Sequence, residues 1–535
     1  GRRQVAALPG SRAAALVGGR RIETAGLFAS FWSQKEGHSG RQPFADKTSS
    51  KRRALFVHEK ERPNGCQPSA SLTPTHAEHP PQKGGFPLSF HPVLKLPKFF
   101  RTLLTALAVA VLSVALTFLM HNQDTFRTGF WDDYSQSLVF ARILQMQQDQ
   151  SAPGGFLGSY TGQFGDTQNR YLYRENTPVT PDQYLSYTHQ SGLQGLGFGV
   201  LNKVFSVWQD NGEARERMLY AANSILFYAV SLCLCIGLWR TFGAPAAMGW
   251  MAAVLLSPWV QRGMKDLYWC LWTWLLPALA GLILCAATKK RHTTPSWAYF
   301  LVFAAVCVRC MCGFEFISAF LILAEVPLFL CWVLALGQKR PARGWFFRMV
   351  RTGFAALAGV AAALAVWLVQ SYLYFGTWAG AWDNVVSVAL RHTTGGTATA
   401  AAMLDRYFVQ GEAVLQLGPV GITPPVWLGI CAAFFVLAAV VLAVRRRALP
   451  PAYAGLAALF LLGLAAPISW MVLAPAHCEP HPHLIPMLWN FAFAPAGAAA
   501  IGGLLRLMVQ KAPAPAADAQ PPAQPGKEDP HAGTP

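Results

Sequence analysis

Apolar runs of bilayer length alternate along this chain with polar loops, and every second loop is basic. The runs fall near 102–120, 219–239, 244–260, 267–287, 297–311, 316–336, 353–374, 426–444, 452–473 and 486–508. A bilayer core takes about 20 apolar residues per helix, so the pattern predicts an all-α polytopic membrane protein with about ten transmembrane helices. The stretch 297–337 is twice too long for one crossing at about 1.5 Å per residue. A single helix there would also put Lys290 and Lys339 on opposite faces. Two helices with a tight turn near Arg309–Glu315 resolve both problems.

The charges orient the helices. Lys95, Lys98 and Arg101 precede the first run, and Arg240, Lys289–Arg291, Lys339–Arg351, Arg445–Arg447 and Arg506 follow the even-numbered ones. Basic clusters mark the cytoplasmic side, so both termini are expected in the cytoplasm. The long polar stretch 121–218 then becomes a large first extracytoplasmic loop, and 375–425 a second. In the first loop, Tyr134, Leu138, Ala141 and Leu144 predict a helix over 134–148. Tyr184 to Phe205 reads as an amphipathic segment lying on the membrane surface. A helix near 379–391 and a turn at Thr393–Thr397 are expected in the second. The domain reading is therefore 1–92 as a disordered basic segment, 93–120 as the first span and 121–218 as the first outer loop. Spans 2–7 occupy 219–374, the second outer loop 375–425, spans 8–10 426–510, and a disordered cytoplasmic tail 511–535. No Met precedes Met120, and 1–92 is read as upstream sequence or part of a fragment, with an expected native start near Val93 or Leu94.

Composition agrees. Apolar residues make up 53% and charged residues 13%, with a mean hydropathy of +0.29, too apolar for a soluble chain of this length. The net charge of +18 is not one patch, because residues 1–101 hold 17 Lys/Arg against 6 Asp/Glu. That distribution speaks against nucleic-acid binding and for contact with anionic lipid headgroups. Most of the 11 cysteines sit inside apolar runs as small apolar residues, and 121–218 has none. No disulfide framework is expected.

The polar residues with chemical potential gather at the predicted outer face. Adjacent Asp132 and Asp133 open the 134–148 helix. Two neighbouring carboxylates raise one another's pKa, which suits a general base; helix capping is the plainer use. Asp124 is a rival acid. Arg262 and Lys265 lie among Trp259, Trp269 and Trp272, where two cations suit a lipid-linked phosphate or simple interfacial anchoring. Arg309 and Glu315 flank the turn between the fifth and sixth spans, either as a local pair or facing a polar site. His477, Cys478, Glu479, His481 and His483 lie in the last outer loop. Their donor types suit zinc, but their spacing matches no standard zinc pattern. The sequence thus assigns no cofactor and leaves a divalent metal open. Phosphate or sugar hydrogen bonding by the histidines is the other use.

The layout of 93–510 resembles the GT-C glycosyltransferases, the superfamily of lipid A aminoarabinose transferase and the protein mannosyltransferases. Locally, Asp266–Trp269, Cys312–Ser318 and Pro467–Trp470 followed by His477 and His483 are similar to a family of bacterial multi-pass proteins in that superfamily. The resemblance implies transfer of a sugar from a polyprenyl-phosphate donor to an outer-face lipid or cell-envelope glycan. It places the catalytic acid on Asp132 or Asp133 and the donor-phosphate contacts on Arg262 and Lys265, to which Arg309 is added as a donor-phosphate candidate from its place at the turn. The substrate loops would carry Glu315, His477, His481 and His483. Expected partners are the lipid-linked sugar and membrane lipids, in a bacterial plasma (inner) membrane. A transporter or flippase of lipid-linked glycans, or a non-catalytic envelope assembly factor, is the alternative. The acidic pair sits farther from the first span than the superfamily's usual acid.

Overall fold

The computed structural model describes residues 98–121, 132–291, 293–393, 398–482 and 484–510. The expected tails, Asp124, the turn at 394–397 and His483 lie outside the described residues. The rest is helical: α1 Lys98–His121, α2 Asp133–Gln147, α3 Gln168–Arg174, α4 Leu193–Phe205, α5 Gly212–Phe242, α6 Ala244–Leu256, α7 Pro258–Gly263, α8 Leu271–Arg291, α9 Ser296–Met311, α10 Ile317–Gly337, α11 Arg343–Phe375, α12 Trp378–Thr393, α13 Ala400–Leu404, α14 Pro424–Val444, α15 Pro451–Leu473, α16 Pro475–Cys478 and α17 Ile485–Val509. Two short antiparallel pairs complete it, β1 Leu157–Ser159 with β2 Leu185–Tyr187, and β3 Leu415–Leu417 with β4 Val420–Ile422.

Among the described residues, eight helices are long and apolar enough to cross a membrane, namely α1, α5, α8, α10, α11, α14, α15 and α17. The shorter apolar helices α6 and α9 bring the bundle to ten. This is an all-α polytopic membrane protein. The third apolar run does not continue to 260 as one helix. Pro258 starts a new helix at its N1 position, where proline loses no hydrogen bond. The Ser257 hydroxyl caps that helix at Val260 N, 3.1 Å away. α6 is then only about 20 Å long.

The bundle closes through small residues. A Cβ on Gly249 of α6 would lie 2.1 Å from the Ala498 carbonyl of α17, and one on Gly502 2.0 Å from the Pro245 carbonyl. Backbones approach this closely only where side chains are absent. α1 stands at the edge, with only 17% of its apolar window buried.

Residues 132–211 fold as a cap over one end of the bundle. Leu138, Val139, Phe140, Ile143 and Leu144 are all buried, which makes α2 the core helix of that cap. The expected amphipathic segment 184–205 is in fact two elements, a strand and then α4. Only α4 shows an open apolar face, through Leu196, Val200 and Val204. The Gln194 amide donates to the carbonyls of Tyr268 at 3.2 Å and Cys312 at 3.0 Å. Trp367 Nε1 donates to the Thr188 carbonyl at 2.9 Å. The cap is thereby bonded to the ends of α8, α9 and α11.

Candidate active site

The α2 N-terminus builds one wall of the site. Asp132 caps the helix, its Oδ1 accepting from Ser135 N at 3.0 Å. Its Oδ2 accepts from Trp269 Nε1 at 2.9 Å, across 137 residues of chain. Both oxygens are thus engaged, and the residue is 6% exposed. Asp133 is different. Its side chain is 46% exposed, and it faces Arg170 at 3.9 Å. Partial burial raises its carboxyl above the usual range, and Arg170 and Lys265 oppose that rise. A narrow cleft with no room for a water molecule lies beside it, lined by Asp133, Gln136, Ser137, Phe140, Thr167 and Arg170.

The opposite wall is the 264–269 segment. Asn223 of α5 donates to the carbonyls of Met264 at 3.0 Å and Asp266 at 2.9 Å. Gln136 Oε1 accepts from Leu267 N at 3.0 Å. Asp266 Oδ1 accepts from the backbone N–H groups of Tyr268 and Trp269, at 2.9 and 3.1 Å. These bonds fix Lys265, which is 2% exposed. Burial first, then the Arg170 charge, lowers its ammonium pKa to about 8, while Asp133 and Asp266 partly offset the fall. Burial holds the Asp266 carboxyl well above the usual range, with the Asp132 charge adding to it.

Arg170 is itself positioned by Glu216, a residue 1% exposed on α5. Arg170 Nε reaches Glu216 Oε1 at 2.5 Å, and Arg174 pairs with the other oxygen. The Tyr220 hydroxyl also donates to Glu216, at 2.5 Å.

The structure brings Asp132, Asp133 and Lys265 into one cluster, with Arg262 exposed at its margin and depressing Lys265 by like charge. Arg309 stands elsewhere. It is 1% exposed, with its guanidinium 4.5 Å from the Phe320 ring centre and its NH2 donating to the Glu315 carbonyl at 3.1 Å. Glu315 turns toward Gly313 and Gln190. His477 is buried, accepting from Trp470 Nε1 at 3.4 Å and standing 4.7 Å from the His481 ring. Among the described residues, no three His, Cys, Asp or Glu side chains are grouped to hold a metal ion.

Phe316 joins the two regions. Its ring centre lies 5.8 Å from Trp269, 5.1 Å from Trp274 and 5.8 Å from His477. Two residues on, Ser318 opens a groove of about 670 Å³ between α10 and α15, walled by Ile322, Leu461, Leu464, Ile468 and Val472. That groove is apolar and sits beyond Phe316, while the charged cluster has only a narrow cleft.

Arg170, Glu216, Asp266 and Trp269 escape a reading of the sequence for chemistry. Arg170 and Glu216 lie 46 residues apart in a polar stretch without a motif. Asp266 stands out only within the local resemblance at 266–269, and Trp269 otherwise reads only as one of the aromatics around Arg262 and Lys265.

No family model matches the chain, and no curated protein matches it. Among solved structures it is similar to the crystal structure of the Archaeoglobus fulgidus oligosaccharyltransferase in its apo form, at 12% identity and a TM-score of 0.36. The match covers 76% of this chain and 50% of the other, so the chain spans about half the length of that protein.

Proposed function

We propose that this protein is a GT-C-type glycosyltransferase that moves a sugar from a polyprenyl-phosphate donor to a hydroxyl on a lipid or cell-envelope glycan. The Trp269–Asp132 hydrogen bond carries the reading, because it joins the acidic helix start to the segment bearing Lys265. Asp133 is the general base. It has a solvent-exposed edge and a raised carboxyl, whereas both Asp132 oxygens are engaged. Asp133 takes the acceptor's hydroxyl proton as that oxygen bonds the anomeric carbon. The bond from that carbon to the phosphate oxygen breaks, and the Lys265 ammonium, helped by Arg262, neutralises the departing phosphate. The groove between α10 and α15 suits the polyprenyl chain, since its walls are apolar and its Ser318 end lies beside Phe316. In this reading the cap faces outward from a bacterial plasma membrane, with both termini inside.

Purified protein given labelled polyprenyl-phosphate sugars transfers label to an envelope acceptor on this reading, and Asp133→Asn stops it. Undiminished transfer by that variant overturns the base assignment.

One observation favours a transporter of the same lipid-linked glycans instead. Glu325 lies within α10, and among the described residues neither carboxylate oxygen has a hydrogen-bond partner; carboxylates inside membranes mark transport pathways. Movement of labelled lipid between leaflets without transfer, lost in Glu325→Gln, is the outcome that would select it.

A further inference from the structure

Around Gly313 the fold leaves several buried polar atoms without hydrogen bonds. Among the described residues, both heteroatoms of the Gln190 side chain, the Ser191 hydroxyl, Gln194 Oε1 and Glu315 Oε2 are sealed and find no hydrogen-bond partner. Gln190, Ser191 and Gln194 are 1%, 2% and 4% exposed. A Cβ on Gly313 would lie 2.2 Å from Glu315 Oε2 and 2.8 Å from Gln190 Oε1, so the two oxygens converge on one point. Gly313 has φ 147°, a backbone that L side chains avoid, and the two oxygens pack directly against it, where any Cβ would displace them. The other end of Gln194 is fixed by its bonds to Cys312 and Tyr268.

Unbonded buried polar groups are costly, and native folds keep few of them. Five such atoms from two segments far apart in sequence call for a ligand that bonds them. A carboxylate among them repels phosphate. Neutral hydroxyls donate to the carboxylate and amide oxygens and accept from the amide N–H groups. The geometry points to a subsite for the hydroxyls of the transferred sugar, formed by Gln190, Ser191, Gln194 and Glu315 around Gly313. This rests on the glycosyl-transfer reading and deepens it. The subsite adjoins the phosphate side through Tyr268, whose carbonyl holds Gln194 while its N–H bonds Asp266. Residues 187–191 move aside as the sugar seats, because the unbonded atoms are out of reach of solvent.

The test uses the full chain in lipid nanodiscs. Binding is measured for bare undecaprenyl phosphate and for the same lipid carrying glucose, mannose, galactose or arabinose. The wild type prefers at least one glycosylated lipid over the bare one. Gln190→Met and Glu315→Gln lose that preference by about tenfold or more and hold the bare lipid as before, while Lys265→Gln weakens both. Gln190→Met also raises the ligand-free melting temperature by about 2 °C, since it removes unmet polar atoms. A wild type with no preference, variants that keep it, or a lower melting temperature in Gln190→Met overturns the subsite. Failure of every lipid to bind the wild type brings down the transfer reading as well.

Discussion

Trp269 Nε1 donates to Asp132 Oδ2 at 2.9 Å, and that contact fastens the start of α2 to the end of the helical bundle. Asp133, the next residue, takes its direction from it. Trp269→Phe keeps the ring packing against Phe316 and Trp274 but removes the donor. A hydrogen bond to a charged group contributes about 1.5–3 kcal/mol. Transfer is expected to fall roughly 10-fold or more, mostly in kcat because Asp133 shifts while the lipid groove is untouched. Steady-state kinetics checks this, and an unchanged kcat removes Trp269 from the positioning role.

The two aspartates are expected to separate on substitution. Asparagine caps helices about as well as aspartate, so Asp132→Asn keeps α2 and leaves a reduced but measurable rate. Asp133→Asn removes the proton acceptor and lowers kcat by about 10²-fold or more. Melting temperatures of the two variants should stay within about 2 °C of the wild type.

The pH profile follows from the two shifted groups. The raised Asp133 carboxyl loses its basic form as pH falls, so the acidic limb lies above the ordinary carboxylate position. The Lys265 ammonium, lowered to about 8, is charged below that pH and neutral above it, so kcat/KM declines as pH rises through about 8. A bound phosphate favours the ammonium, and the same limb in kcat therefore moves to higher pH. Lys265→Arg keeps its charge at every accessible pH. In that variant the basic limb disappears even if the overall rate is lower.

Glu216 is a structural test of the cap. It is 1% exposed and holds both Arg170 and Arg174. Glu216→Ala removes the buried carboxylate that both guanidinium groups share at a partly buried site, which costs about 3 kcal/mol. A lower melting temperature, and faster proteolysis within 132–211 than elsewhere, is the expected result.

The groove between α10 and α15 can be blocked without touching the charged cluster. Ser318→Trp fills the end nearest Phe316. It should raise KM for a long polyprenyl donor by about 10-fold and leave a donor with a short prenyl chain nearly unaffected. Equal effects on both donors argue against the groove as the lipid's place.

The membrane-spanning helices were legible in the chain because each is a local event. An apolar run either has the length to satisfy its backbone inside lipid or it does not. The places where helix ends differ are local too, such as the Ser257–Pro258 break. The adjacent carboxylates and the Arg262–Lys265 pair were visible by residue type and position near predicted helix ends. Their relation to one another was not. Asp132 meets Trp269 across 137 residues, and Arg170 meets Glu216 across 46, and no spacing rule encodes such meetings. Tertiary structure alone decided that Asp132 has both oxygens bonded while Asp133 keeps an open edge. It also decided that Arg309 is held by aromatic rings at the end of α9, and that Glu315 turns toward Gln190. Composition and periodicity determine which segments leave water; which polar side chains share a point depends on how the cap settles on the bundle, and that is fixed by long-range packing.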